Sequence, residues 1–338
     1  MTLLRLNSGY LALSLVAAVL AVAAGGACAQ TTSTGSGQAY PSKPIRLISP
    51  YPPGGGTDAS ARIVAQALSD QMGQQVIVDS RGGASGRIGT ELAAKAPPDG
   101  YTLVLGNVAP MAILPGAGAK LAYNVARDFQ PLSLVATSDY VLTVHPSLPA
   151  KSAKDLLALA KAKPGELTYA SSGLLGGPHL GGELINLLAK VNIVHIPYKG
   201  NGPAAIAIMT GESTMMFGSG PSVVPHVQSG KLRVLATTGP SRSRFLPDAP
   251  NMAESGYKDI VVEAWLGFFA PAKTPPATVA RLSAAVGEAI KAEEVVQSFL
   301  KFGNEVAYIA PTAFAKMLRE ETERWGPIVK ASGFTAED

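Results

Sequence analysis

IRLISPYPPGGGTD, residues 45–58, is the stretch on which the reading of the chain turns. Ile45-Arg46-Leu47-Ile48 is a short β-run. Pro50, Pro52 and Pro53 end it, because proline has no N–H to give a ladder. Gly54-Gly55-Gly56 then turn the chain, since glycine reaches backbone angles closed to other residues. A helical pattern follows over positions 59–72, with Ile63, Val64, Ala67 and Leu68 on one apolar stripe. Thr57 or Asp58 is the expected N-cap. A strand, a Gly-rich turn and a helix start together present unpaired backbone N–H groups, and such a terminus receives anions. An ordinary strand-to-helix connection carries the same pattern, so the motif alone leaves both readings open.

The construction recurs downstream. A strand over 76–78 ends at Asp79, and the Gly-rich turn 81–89 leads into a helix over 88–96. Pro97-Pro98-Asp99-Gly100 stops that helix, and a strand over 101–105 ends at Gly106-Asn107. This βαβ rhythm predicts an α/β fold with an open, mainly parallel sheet. Ligands of such sheets lie off the carboxyl ends of the strands. That rule brings Tyr51 to Asp58, the 81–86 turn, and Gly106 with Asn107 to one crevice.

Positions 109–131 read as irregular. Positions 132–145 read as a long extended pair broken at Ser138-Asp139, long enough to leave one domain and enter another. Ser152 caps a helix over 153–163, with Asp155 as its capping-box partner. A strand over 167–170 leads to the small-residue loop Ser171-Ser172-Gly173-Leu174, and a helix runs from His179 to position 190. The next strand, 191–196, ends in Pro197-Tyr198-Lys199-Gly200-Asn201-Gly202, then a helix over 204–210. This unit echoes the opening one and points to a second α/β domain aimed at the same ligand. Strands over 214–218 and 232–237 flank a helix over 223–229, and the apolar run 261–269 is a candidate return crossing. Helices over 276–291, 294–302 and 311–331 close the chain. The predicted organisation is residues 40–132 plus 255–310 in domain 1, residues 133–254 in domain 2, and a C-terminal helix, 311–338, packing across them.

The chain has 338 residues, 47% of them hydrophobic, enough for two cored domains. Residues 1–29 read as a signal peptide: Arg5, an uncharged apolar run from Tyr10 to Ala24, and the small-x-small pattern Ala27-Cys28-Ala29. A flexible leader, 30–39, follows. The expected location is the periplasm, with a lipid anchor on Cys28 as the alternative. Residues Gly25-Gly26-Ala27 ahead of Cys28 lack the Leu usual for lipidation. Cys28 is the one cysteine, so cleavage leaves no disulfide and no thiolate. The net charge of +4 is scattered, which argues against a nucleic-acid partner.

Catalytic patterns are sparse. There is no GxSxG, P-loop or GxGxxG. His179 and Glu183 lie one helical turn apart, but no third metal ligand is near, and capping or structure is preferred. His145 and His195 read as structural. Lys199 either fixes a carboxylate or is solvated, and Arg81 and Arg87, flanking a Gly turn, are each read as solvated at their simplest. Trp265 and Trp325 read as core and as part of an amphipathic helix. Many N–H-presenting turns and few reactive side chains suit binding without chemistry, with no metal or cofactor.

From Tyr40 to Phe334 the chain resembles the Bug family, the extracytoplasmic solute receptors of tripartite tricarboxylate transporters. The resemblance is carried by KPIRLISPYPPGGGTD, VDSRGGASGRIGTELAAKAPPDGYTLVLG, HPSLPAKSAKDLLALAKAKPGELTYASSG, VHIPYKGNGPA, GKLRVLATTG and LGFFAPAKTPP. It implies a type II periplasmic binding fold, two α/β domains joined by crossing strands with a ligand cleft between them. It also implies a small organic acid held by backbone N–H groups, hydroxyls and waters, Venus-flytrap closure, and delivery to a membrane permease by a monomeric receptor. A sensor subunit or an exported enzyme is the alternative. The positions this brings to the ligand are Tyr51, Pro53, Gly54, Gly55, Gly56, Thr57 and Asp58, with Gly106 and Asn107, in domain 1. In domain 2 they are Ser171, Ser172, Gly173, Leu174, His179, Tyr198, Lys199, Gly200 and Ser219. One departure stands out: Gly218-Ser219 replaces the family's usual Asp-Asn. Loss of that Asp, and the apolar Leu174-Leu175, imply more room and a carboxylate ligand without an ammonium, with an aliphatic or aromatic body.

Overall fold

The computed structural model describes residues 40–331. The expected signal peptide, leader and Cys28 anchor lie outside the described residues. One compact unit begins at Pro41.

Strand β1 (Ile45–Ser49) is buried along nearly its whole length, as a central strand covered on both faces must be. It pairs in parallel with β2 (Val76–Ser80) and β3 (Thr102–Asn107). Helix α1 (Gly56–Met72) and helix α2 (Arg87–Ala94) make the connections. The second half repeats the plan. Strand β5 (Thr168–Ser171) pairs in parallel with β6 (Val194–Pro197) and β7 (Met215–Ser219). Its helices are α3 (Ala153–Ala162), α4 (Gly177–Ala189), α5 (Asn201–Met209) and α6 (Gly220–Gln228). Ser152 caps α3 as expected, its hydroxyl accepting the Asp155 N–H at 3.1 Å.

The two halves share strand β4 (Phe129–Val144), 16 residues long. Its first part pairs antiparallel with β9 (Glu263–Pro271), from Phe129 opposite Pro271 to Asp139 opposite Glu263. From Tyr140 on it pairs with β7 and with β8 (Arg233–Thr237). The strand order β2-β1-β3-β9-β4-β7-β5-β6 therefore runs through one shared strand. We call the half carrying β1 lobe 1 and the half carrying β5 lobe 2.

Several expectations need correction. The sheet is parallel only where helices make the crossovers; β4, β8 and β9 pair antiparallel, because no helix crossover joins them to their partners. No break occurs at Ser138-Asp139. The strand stays continuous and changes partners there, seven residues beyond the expected boundary at 132/133. The return crossing is made by the segment ahead of β9, where Thr238 N donates to Tyr140 O at 2.9 Å. Strand β10 (Glu305–Ile309) was not foreseen; it pairs with β4 opposite Thr137 to Leu134. The stretch read as irregular contains a π-helical turn, Ala109–Ile113, and the helical segments Leu114–Gly116 and Val125–Asp128.

Lobe 1 packs around an aromatic cluster. Trp265 meets Phe314 edge to face at 5.7 Å, and Phe269 lies 5.1 Å from the same ring. Phe314 and the fully buried Trp325 belong to helix α9 (Pro311–Ala331), which so docks on β9 and β4. Helices α7 (Pro276–Ala289) and α8 (Glu293–Lys301) complete the described chain. Trp265 is a core residue, as read, and Trp325 lies in the expected C-terminal helix with its ring fully buried.

Asp139 sits where β4 changes partners. Glu263 faces it across the ladder, and Glu305 lies nearby opposite Thr137. Arg244 pairs with Glu305 at 3.5 Å. Gly239 packs against the Asp139 carboxylate so closely that a Cβ there would collide with it. Burial, then the charges of Glu263 and Glu305, push the Asp139 carboxyl up to about 6. A carboxyl held above its unfolded value favours folding while protonated, so this contribution is lost as pH rises from about 4 to about 6. Asp139→Asn is expected to stabilise the protein by about 1–3 kcal/mol at pH 7.5 and by little near pH 4. Urea denaturation at both pH values checks this, and an equal effect at both would contradict it.

Candidate functional site

A cavity of about 330 Å³ lies between the lobes. Lobe 1 lines it with Tyr51, Gly83, Ala84, Ser85, Arg87 and Leu114. Lobe 2 supplies the strand-end loops 172–175 and 197–199. Of the expected positions, Tyr51, Ser172, Gly173, Leu174, Tyr198 and Lys199 come together here. Tyr51 reaches in from the Pro-rich turn after β1. Its hydroxyl donates to Ser85 O at 3.2 Å and to Asn107 Oδ1 at 3.4 Å. Burial outweighs the Asn107 bond and pushes the phenol up to about 12, so it stays a protonated donor. Asn107 thus orients Tyr51 from beside the cavity.

The lobes touch around this space. Ser85 Oγ donates to Leu174 O at 2.6 Å. Gly200 packs 3.4 Å from Pro52, measured from where its Cβ would stand. Another close approach involves the start of α1. A Cβ on Gly56 would come to 3.0 Å from Ser219 Oγ and 3.1 Å from Ser222 Oγ. Asn201 Nδ2 donates to Ser219 Oγ at 3.2 Å, and Ser219 and Ser222 share a hydrogen bond at 3.0 Å. The first turns of α1, α5 and α6 therefore meet at one point, each with first-turn N–H groups that the helix itself cannot satisfy.

Other expected positions do different work. Neither Thr57 nor Asp58 caps α1. Helix φ/ψ begins at Gly56, with Gly55 at the N-cap. Asp58 falls in the first turn, where its buried carboxylate accepts from Gly54 N at 3.2 Å, Arg62 Nε at 3.0 Å and Ser80 Oγ. Gly55 N bonds Pro52 O at 3.3 Å. The N–H groups of Gly54 and Gly55 are therefore spent inside the loop, and Pro53 and Gly54 are exposed. Gly106 is core: its missing side chain makes room for Met111 and Phe269.

Ser171 and His179 lie behind the cavity wall. Ser171 Oγ bonds His195 Nε2 at 2.6 Å and accepts Gly173 N–H at 3.1 Å. His179 Nδ1 accepts Leu175 N–H at 3.1 Å. That bond helps hold Leu175 at φ 54°, a left-handed conformation uncommon for leucine. The His179 and His195 rings lie 4.2 Å apart, with Tyr169 stacked on His195 at 4.7 Å. Burial, with His195 adding to it, lowers His179 to about 3, and burial lowers His195 to about 4. Both rings are neutral at ordinary pH. Glu183 accepts from the Tyr169 hydroxyl. Among the described residues no group of three His, Cys, Asp or Glu is arranged for a metal.

The expected extra room at Gly218 is absent, since a Cβ there would run into Val223. Gly83, Ala84 and Ser85 in the lining belong to the 81–86 turn that the strand-end rule brings to the crevice, and Leu175 to the apolar pair read as shaping the ligand; Arg87, Leu114 and Pro197 were not foreseen as ligand positions. Arg87 carried a signal in sequence only as a cation beside a Gly turn.

Two α/β lobes, a shared strand and a ligand-sized cavity between them define a type II periplasmic binding fold. The family profile for "Tripartite tricarboxylate transporter family receptor" matches residues 60–334, and the chain belongs to that family of solute-binding receptors. It is 38% identical over 299 residues to Protein BugT of Bordetella pertussis (strain Tohama I), covering 88% of this chain and 92% of BugT. Among solved structures, "Structure of a periplasmic transporter" matches with a TM-score of 0.85 and 38% identity, over 88% of this chain and 100% of that one. MatC from Rhodopseudomonas palustris with bound malate matches at TM-score 0.81 and 29% identity, over 86% and 100%. The R. palustris protein Rpa4515 with adipate matches at TM-score 0.81 and 30% identity, over 88% and 99%. No helix among the described residues is long and apolar enough to cross a membrane.

Asp58→Ala strips three donors of their shared acceptor. It is expected to cost about 1–3 kcal/mol in chemical denaturation at pH 7. Hydrogen bonds from Ser80, Arg62 and Gly54 outweigh burial and hold this carboxyl below 3.8, so the wild-type advantage fades as pH falls through that range. An unchanged midpoint at pH 7 would contradict the assignment.

Proposed function

We propose that this receptor captures a small organic carboxylate between its lobes in the periplasm and delivers it to the permease of a tripartite tricarboxylate transporter. The carrying observation is the interlobe cavity, which has Arg87 and Lys199 in its lining and no Asp or Glu. Malate on MatC and adipate on Rpa4515 support a carboxylate. The protein reaches the periplasm through the leader at 1–29, cleaved after Ala29 or, alternatively, lipidated at Cys28.

In this reading the ligand enters the open cleft and meets Tyr51 and the loop after β2. The lobes then rotate about β4 and the 238–262 segment. Closure brings in the loops at Ser172–Gly173 and Tyr198–Lys199, and the start of α1 meets Ser219 and Ser222. Only contacts stronger in the closed state shift the equilibrium toward it. A catalytic reading lacks support, because Asp58, His179 and Glu183 each bond to partners within their own lobe.

Native mass spectrometry of protein taken from a periplasmic extract is expected to show an organic acid carried through purification. Small-angle scattering is expected to show compaction when malate or adipate saturates the protein. No carboxylate stabilising the protein in a thermal-shift panel, and no compaction, would overturn the reading. Gly56→Val tests closure itself. It is expected to weaken carboxylate binding at least tenfold while leaving the melting temperature within a few degrees, because its side chain intrudes where the lobes meet. Unchanged affinity would show that this contact is not part of closure.

A further inference from the structure

We infer that Asp139 is a proton switch on lobe closure: the lobes come together with uptake of a proton at the point where β4 passes from one lobe to the other. The inference rests on the lobes closing about β4 and is independent of what the ligand is.

Both chain crossings between the lobes pass this carboxylate. The first is β4 itself, with Asp139 in its last pair with β9 and Tyr140 in its first pair with β7. The second leaves lobe 2 at Thr238, whose N–H donates to Tyr140 O at 2.9 Å. Its next residue, Gly239, packs directly on the Asp139 carboxylate. It re-enters lobe 1 at Glu263, which stands opposite Asp139 in the ladder. One residue back, Ser138 Oγ donates to Gly303 O at 2.6 Å, and Gly303 abuts Gly220 at the start of α6 in lobe 2. The cover of Asp139 is thus built where the two lobes join. A rotation of one lobe on the other at this point changes that cover.

The cover disfavours a negative charge. Burial raises the Asp139 carboxyl first, then Glu263 on β9 and Glu305 on β10, and the Ser243 hydroxyl offsets them only in part. The cations nearby are committed elsewhere: Arg244 to Glu305 at 3.5 Å, Arg242 to Glu254 at 3.0 Å, and Arg324 on α9 to Glu321 at 3.2 Å. Glu263 is itself raised by burial, which Arg324 opposes and Glu321 reinforces. Asp139 has no ion-pair partner among the described residues. A polar cavity of about 160 Å³ lies beside it, lined in part by Thr137, Ser138, Glu263 and Glu305. Opening at this crossing hydrates the carboxylate through that cavity and removes the burial that opposes its charge. The open form therefore releases the proton, and the closed form takes it up. A group that holds its proton more tightly in the closed form favours closure as pH falls. With the closed value at about 6, full recovery of the ordinary value on opening moves the equilibrium toward closed by about fourfold between pH 7.5 and pH 5.5.

Small-angle scattering of the ligand-free receptor reads the switch directly. Wild-type protein is expected to be more compact at pH 5.5 than at pH 7.5. Asp139→Asn, which mimics the protonated carboxyl, is expected to be equally compact at both. Calorimetric titration with adipate and with malate reads the same coupling as affinity. Asp139→Asn is expected to bind threefold or more tighter than wild type at pH 7.5, and that advantage to shrink about two- to fourfold at pH 5.5. Taking the ratio to wild type at each pH removes the ligand's own titration. Glu294→Gln makes the same charge change on the exposed face of α8 and is expected to match wild type at both pH values. Melting curves confirm that both variants fold. Wild-type dimensions unchanged between the two pH values, or an affinity ratio that is the same at both, would overturn the switch; the scattering decides alone where neither acid binds. Compaction by adipate or malate in that case would leave lobe closure standing. No compaction with pH or with either acid would overturn closure as well.

Discussion

Strand β4 is the constraint on which the molecule depends. Its backbone hydrogen-bonds β9 and β10 on one stretch and β7 and β8 on the next, so it is a central strand in both lobes. A strand in that position cannot slip by one residue without turning its side chains to the wrong face in two cores at once. Val141 and Leu142 are fully buried on opposite sides of lobe 2, and Leu134 and Val135 do the same in lobe 1. The lobes therefore share one rigid register, and freedom between them is confined to the place where the partners change.

The cavity inherits its precision from buried polar groups that never enter it. Asp58 ties the turn after β1 to β2 through Ser80 and to its own helix through Arg62. In lobe 2 the stack of Tyr169, His195 and His179 supports the loop after β5 through Ser171 and Leu175. Neutral imidazoles suit this position, because each can accept a loop N–H or hydroxyl bond without bringing a charge into the core. Both devices fix the mouths of strands, where an α/β sheet presents its ligand site.

Legibility in sequence follows the range of the interaction. The Ser152 cap and the βα turns are local chemistry, and both are visible in the sequence. The start of α1 is not, because three consecutive glycines leave its register open, so Asp58 looks like a cap when it is a first-turn acceptor. Gly106 looks like a cleft glycine because a sequence shows that a side chain is missing but not what fills the space. Strand β10, Glu-Val-Ala-Tyr-Ile, is short and half-exposed between two helices, and only its pairing with β4 makes it a strand. Leu114, in the stretch read as irregular, lines the site only because the lobes meet. No local pattern encodes that.

The lobe-to-lobe contacts around the cavity are individually small, and that bears on how closure is controlled. The Ser85–Leu174 hydrogen bond contributes about 0.5–1.5 kcal/mol net, and the Gly56 contact is van der Waals packing of backbone against hydroxyls. Moving a two-state equilibrium from mostly open to mostly closed takes about 5.5 kcal/mol of differential affinity. A ligand bound to one lobe only contributes nothing to that difference, however tightly it is held, because it keeps its contacts in both states. Ligand control of closure therefore falls to groups that reach both lobes. Tyr51, Ser85 and Arg87 on one side, with Ser172, Tyr198 and Lys199 on the other, are the polar side chains placed to feel such a ligand.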